Sequence, residues 1–289
     1  MAQAAAKTGA GPTVMVAIEQ YFPSHQRIIT DDLAYSVLPL GARALVWAMR
    51  PPLARNWMVR ATERAFPGLW SGIMCRKRYI DDALIAAARE IDAVVNLGAG
   101  FDTRACRLPY LAEIPVWEVD QPANIKSKED RLRQGFGRLP EHVSLVSVDF
   151  DQETLGPALA SRGYTEHKRT FFIWEAVTQY LTETGIGATL DFLATAPHGS
   201  RLAFTYVLKD FLDGQSLYGQ ERLHERYVKS KIWLFGLDPR KVSDFLDSYG
   251  WRVTDHLGCD ELVERYVKPT GRRLTSSPIE RIVYAEKLQ

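Results

Sequence analysis

The spacing of apolar positions changes character near residue 92. Before that point the period is helical. In "TVMVAIEQYF" (13–22), Val14, Ala17, Ile18, Tyr21 and Phe22 recur three to four residues apart, and Pro23 closes the run. "GARALVWAMR" (41–50) and "LARNWMVRATERAF" (53–66) are two further helices, split by Pro51-Pro52. "CRKRYIDDALIAAAREI" (75–91) is the clearest, with Ile80, Ala83, Leu84, Ala87, Ala88 and Ile91 on one face.

From Ala93 onward the pattern becomes short apolar runs separated by polar or helical sequence: "AVVNLG", "VWEVD", "VSLVSVDF", "TFFIWEAV" and "RLAFTYV". Strands alternating with helices predict βαβ units and a mainly parallel sheet covered on both faces. Two later runs, "WRVTDHL" and "RIVYAEKL", lie close in sequence and predict an antiparallel end to the sheet. The polar and aromatic stretch between Tyr206 and Trp251 is too long for a simple loop and reads as helices inserted after the fifth strand. The expected organisation is a flexible tail (1–12) and one domain (13–289). That domain divides into N-terminal helices (13–92), a binding core (93–207), a helical lid (208–250) and C-terminal strands (251–289).

Composition narrows the class. The 289 residues can bury a full core, and the hydrophobic and charged fractions are those of an ordinary globular protein. A net charge of +1 gives no electrostatic case for nucleic acid or an acidic membrane as the main partner. Three scattered cysteines form no CxxC pair, so neither zinc nor a disulfide framework is expected. The N-terminus has no apolar signal core and no run reaches the length of a membrane span, so the expected location is cytoplasmic.

The chemistry starts at "AVVNLGAGFDTRACRLP" (93–109). Gly98 and Gly100 follow a predicted strand directly; lacking Cβ atoms, they allow a tight turn and close approach of a ligand. Asp120 ends the second strand, 20 residues beyond Gly100, where a carboxylate can accept hydrogen bonds from ribose hydroxyls. Asp149 ends the third strand, where it can meet an adenine amino group while Phe150 covers the ring. Two cofactors contain that adenosine. A dinucleotide wants a third glycine, but Thr103 stands there, and Asp102 puts a negative charge where a pyrophosphate would sit. S-adenosylmethionine has no phosphate and carries a sulfonium and an ammonium, so the loop favours it over a nicotinamide dinucleotide.

These residues, with "EVD", "WEAVTQYLTETG", "WLFGLDPRKVSDFLDSYGW" and the closing "IERIVYAEKL", resemble the leucine carboxyl methyltransferase family from about Thr13 to the C-terminus. That family includes protein phosphatase methyltransferases and polyketide carboxyl O-methyltransferases. The resemblance implies a class I S-adenosylmethionine-dependent methyltransferase: a Rossmann-like α/β fold with a seven-stranded, mostly parallel sheet and a helical lid. It assigns Arg76, with Arg78 as the alternative, to the cofactor carboxylate. Arg76 also lies four residues before Ile80 on the apolar face of its helix, where an unpaired charge is costly. It places Gly98 and Gly100 at the turn, Asp120 at the ribose, Asp149 and Phe150 at the adenine, and Glu175 near the methionine portion. Tyr206 matches a tyrosine that the protein-modifying members place at the substrate. The sequence before the first helix departs from those members.

Methyl transfer from a sulfonium needs mainly alignment. A carboxylate acceptor is already a nucleophile at pH 7, whereas a phenol wants a general base. None of the six histidines lies in a base motif; His224, in the lid stretch "ERLHERYVKSK", is the one to test. Arg222, Arg226 and Lys229 share that stretch and can meet a carboxylate. The expected function is O-methylation of a small aromatic or polyketide-type acid, with a phenol as the other acceptor. The alternatives are methylation of a protein C-terminus and a non-catalytic S-adenosylmethionine-binding protein.

Overall fold

The computed structural model describes residues 10–288. Four helices come first: α1 (Ala10–Glu19), α2 (Leu40–Ala48), α3 (Pro52–Ala65) and α4 (Leu69–Ala87). Residues 1–9 of the expected tail lie outside the described residues, but 10–12 already belong to α1, whose first turn tolerates Pro12. The Pro51-Pro52 break separates α2 from α3, with Pro52 inside the first turn of α3. Helix α4 begins six residues earlier than its apolar period predicts, because Gly68 caps it in the left-handed region at φ 76°. An added Cβ at Gly68 would meet the Ser276 carbonyl oxygen at 2.0 Å.

The sheet then alternates with helices: β1 (Ala93–Leu97), α5 (Arg104–Arg107), β2 (Val116–Asp120), α6 (Pro122–Phe136), β3 (Val143–Ser147), α7 (Leu155–Ala160), β4 (Thr170–Trp174), α8 (Glu183–Ala194) and β5 (Arg201–Val207). After β5 come α9 (Lys209–Leu212), α10 (Glu221–Leu223), α11 (Val242–Asp247), β6 (Trp251–Leu257), α12 (Cys259–Leu262) and β7 (Glu280–Lys287). The seven strands lie in the order β3-β2-β1-β4-β5-β7-β6. The first five are parallel, and β7 runs antiparallel between β5 and β6.

Successive strand residues feed opposite cores. Val94, Phe171, Ile173 and Ala203 face the α1–α4 side, with Ile18, Trp70, Ile80 and Leu84. Val95, Phe172, Trp174 and Leu202 face the other side, with Leu190, Leu193, Leu246 and Trp251. Strands β1, β2 and β4 are buried at every position, so they read as largely apolar runs, interrupted by the buried Asn96, Glu118 and Asp120. The strand order reverses between β1 and β4, so a crevice opens at their carboxyl ends.

The insertion between β5 and β6 holds short pieces rather than long helices: α9, α10, a π-helical turn over His224–Val228 and α11. Its excursion is closed at the neck by Lys209 N–H to the Leu237 carbonyl (3.0 Å) and Leu237 N–H to the Val207 carbonyl (3.1 Å). Leu234 N–H donates to the Gln179 carbonyl at 2.6 Å, tying the insertion over the carboxyl end of β4.

Candidate active site

A cavity of about 1030 Å³ occupies the crevice. Its floor is the glycine turn. Gly98 (φ 72°) donates its N–H to the Val119 carbonyl at 2.7 Å, and an added Cβ would strike Val177 Cγ2 at 2.2 Å. Gly100 (φ 46°) has nothing within 4 Å of where its Cβ would be, so its backbone is open to a ligand. Asp120 braces the turn. Its Oδ2 accepts from Gly100 N–H at 2.7 Å, and its Oδ1 accepts from Gln121 N–H and Asn124 Nδ2, both at 2.7 Å. A carboxylate has about four lone-pair sites, so capacity for one more donor remains.

The other wall is a charge network. Arg76 donates from Nε to Glu175 Oε1 (3.0 Å) and from Nη1 to Glu280 Oε2 (2.8 Å). Arg104 reaches Asp81 (2.6 Å), Glu175 (2.8 Å) and Asp102. Lys77 pairs with Glu175 at 3.4 Å, and Arg107 pairs with Asp81 (2.6 Å) and Asp31 (3.5 Å). Four cations thus meet five carboxylates, Asp31, Asp81, Asp102, Glu175 and Glu280, which leaves one net negative charge. Burial raises the Glu175 pKa, but Lys77, Arg104 and Arg76 outweigh it and hold the carboxyl down at about 2. Asp102 is lowered for the same reason, with Arg104 the main partner. Beside them Ala176 sits at φ 57°, a left-handed conformation held by its N–H bond to Thr205 Oγ1 (2.8 Å).

All eight residues expected to hold a cofactor, Arg76, Gly98, Gly100, Asp102, Asp120, Asp149, Phe150 and Glu175, line this one cavity. Asp149 lies two residues beyond β3, in a turn where its Oδ1 accepts from Asp151 N–H (3.2 Å). Asp102 does not present the free negative charge expected of it. Its carboxylate is consumed by Arg104, through the backbone N–H (2.7 Å) and the guanidinium, and the helix that follows is a single turn. No free negative charge stands at the loop; the excess belongs to the network as a whole.

The two residues expected at the reaction centre are not brought there. Tyr206 is fully buried on β5 with its hydroxyl 2.9 Å from His256 Nε2, and the neighbouring Val207 lines the cavity instead. Side chains alternate along a strand, so this tyrosine faces away. His224 packs its ring edge-on against Phe211 (5.4 Å), while Leu223 beside it lines the cavity. Of the lid cations, Arg226 lines the cavity and Arg222 and Lys229 do not; Lys229 pairs with Glu225 at 3.3 Å. Lys231, unremarked in the sequence, joins Arg226 there at φ 56°. Lys77, Arg104 and Glu280 were also missed. Only the adjacency of Arg104 to Asp102 and of Lys77 to Arg76 hinted at them, since Glu280 arrives from 204 residues away.

Gly98, Gly100 and Asp120 at the carboxyl ends of β1 and β2 define a Rossmann-like α/β fold of the methyltransferase type. The model of the family described as leucine carboxyl methyltransferase matches residues 10–194, and the chain belongs to that family. A protein of Mycolicibacterium paratuberculosis, named for S-adenosyl-L-methionine-dependent methyl transfer by assignment, is 28% identical over 84% of this chain and 82% of its own. One of Streptomyces coelicolor with the same assignment is 28% identical over 87% and 83%. Among solved structures, an assigned methyltransferase of Thermobifida fusca shares the fold at a TM-score of 0.60 and 14% identity, over 94% of this chain and 97% of that one.

Proposed function

We propose that this chain transfers a methyl group from S-adenosylmethionine to a carboxylate oxygen of a small aromatic or polyketide-type acid. The observation that carries the reading is the lining of the cavity. One half offers an open glycine turn and a net-negative network; the other offers aromatic rings and two cations; no imidazole or thiol stands among its described lining residues.

The residues fit the cofactor. Gly98 and Gly100 admit it against the backbone, and Asp120 keeps an acceptor site for a ribose hydroxyl. Asp149 and Phe150 would hold the adenine end. Arg76, whose fork has no described partner at Nη2, would take the carboxylate, and the one excess negative charge of the network around Glu175 would favour the ammonium and sulfonium. Bound there, S-adenosylmethionine supplies an electrophilic methyl carbon, and the carbon–sulfur electron pair leaves on sulfur.

The acceptor half lies under the lid. Tyr227 and Trp233 stack at 4.9 Å and 15°, and Tyr180 meets Trp233 edge-on at 6.4 Å, a surface suited to a planar apolar body. Arg226 and Lys231 have no ion pair among the described residues and so are available to an acid. A carboxylate with a pKa near ~4 is ionised at pH 7 and needs no base, so holding it in line is the chain's main contribution.

Two measurements test this. Calorimetric titration with S-adenosylmethionine should show binding that Asp120→Ala weakens; no binding by the wild type would sink the reading. A screen of aromatic carboxylic acids and phenols, followed by mass detection, should yield methyl esters. Ethers from phenols, or label entering only protein, would replace the acceptor assigned here.

A further inference from the structure

Six of the nine large apolar side chains that stand exposed among the described residues fall between Tyr35 and Trp57. They are not scattered. On α2, Leu40 and Trp47 are seven residues apart and 78% and 59% exposed. On α3, Leu53 and Trp57 are four apart and 86% and 64% exposed. Both spacings return to the same face of a helix. Helices α2 and α3 each bury a single residue, Val46 and Val59, off that face. The amphipathic pattern is therefore inverted toward solvent, which isolated exposed residues do not explain.

The same segment is strongly basic. Residues 40–66 hold Arg43, Arg50, Arg55, Arg60 and Arg64 and one acid, Glu63. Glu63 is consumed by the backbone N–H groups of Gly68 (2.9 Å) and Trp70 (3.1 Å). None of the five arginines has a carboxylate partner among the described residues, and residues 1–9 contain no acid. On α3 the exposed stripe reads Leu53, Trp57, Arg60, Arg64, so it runs from apolar to cationic over about 17 Å.

We propose that the α2–α3 segment docks the protein on an anionic lipid surface. Leu40, Trp47, Leu53 and Trp57 would enter the acyl boundary while the exposed Arg60 and Arg64 reach headgroup phosphates. A second copy of this chain fits less well, because an isologous contact sets the patch against itself and brings unpaired guanidiniums together. None of the four protruding residues lines the active-site cavity, so this surface is separate from it. No described helix is long and apolar enough to cross a membrane, so the contact is peripheral. The net charge of +1 concealed the patch, because the charge here is local. Phe66, the residue after α3, lines the active-site cavity, so α3 runs from that cavity toward this surface.

The test sediments the full chain with vesicles of phosphatidylcholine alone and of phosphatidylcholine and phosphatidylglycerol in equal parts. Binding to the anionic vesicles is expected to be at least about tenfold stronger and to weaken at high salt. Arg60→Gln with Arg64→Gln should weaken it about thirtyfold, and Leu53→Ser with Trp57→Ser should abolish it. Both pairs are exposed, so thermal melting and methyl transfer to soluble acids should stay as in wild type, which separates this surface from the proposed activity. Equal binding to both vesicle types, or binding indifferent to the variants, overturns the proposal. So does a dimer in sedimentation velocity that Leu53→Ser with Trp57→Ser dissociates, or anionic vesicles that fail to bind while an acidic protein does.

Discussion

Asp120 links three levels at one residue: it ends a strand, fixes the glycine turn through Gly100, and starts α6 through Gln121 and Asn124. Asp120→Ala removes all three hydrogen bonds and should cost about 1–3 kcal/mol of stability as well as cofactor affinity, read by melting and titration. Gly98→Ala tests the turn itself. Its φ of 72° and the 2.2 Å approach to Val177 leave no room for a methyl, so cofactor binding should be lost by calorimetry even where the protein folds. Tyr206→Phe tests the opposite expectation. The hydroxyl bonds His256 outside the cavity, so kcat and KM should hold while stability falls by about 0.5–1.5 kcal/mol. Arg226→Gln should raise KM for an acidic acceptor about tenfold and leave a neutral phenol unaffected, read by steady-state kinetics.

Among the elements, the insertion after β5 departs most from its sequence reading. Helical spacing was right in kind, but the pieces are one or two turns long and are held by the neck rather than by their own length. Gly236 is the critical position at that neck. A Cβ there would meet the Val207 carbonyl oxygen and Leu212 Cδ1, each at 2.7 Å. Gly236→Ala should therefore loosen the lid, raising hydrogen exchange at Leu234 and Leu237 and lowering acceptor turnover while the S-adenosylmethionine titration changes little. Strand β5 shows why the side of Tyr206 was illegible. Six of its seven positions are buried, so no polar alternation marks which face meets the ligand.

Across the whole molecule, the charge network joins segments far apart in sequence: the α1–α2 connection through Asp31, α4 through Arg76, Lys77 and Asp81, the glycine loop, the end of β4 and the start of β7. It joins the candidate site to the fold, and should therefore set an acid limit. Glu175 is depressed to about 2 from 4.5; its stabilisation is complete above 4.5 and is lost as pH falls toward 2. Asp102 acts in the same direction. Asp31 and Glu118, raised by burial, act oppositely, because protonation relieves them. Melting temperature should fall between pH 4.5 and 2. Glu175→Gln, less stable at neutral pH, should converge on the wild type across that window. A constant difference between the two would show that Glu175 is not a main source of the acid limit.

The sequence by itself determined what depends on near neighbours: the helical and strand periods, the glycine turn, Asp120 at its strand end, and Arg76 on the apolar face of α4. These follow from backbone geometry repeated every two or 3.6 residues. Only the tertiary structure decided which charges meet. Glu280 reaches Arg76, Arg104 quenches Asp102, and Tyr206 turns to His256, because folding brings together groups that no local spacing relates. The turn at Gly98 was legible because it is made by adjacent residues. Its electrostatics were not, because its partners come from other parts of the fold.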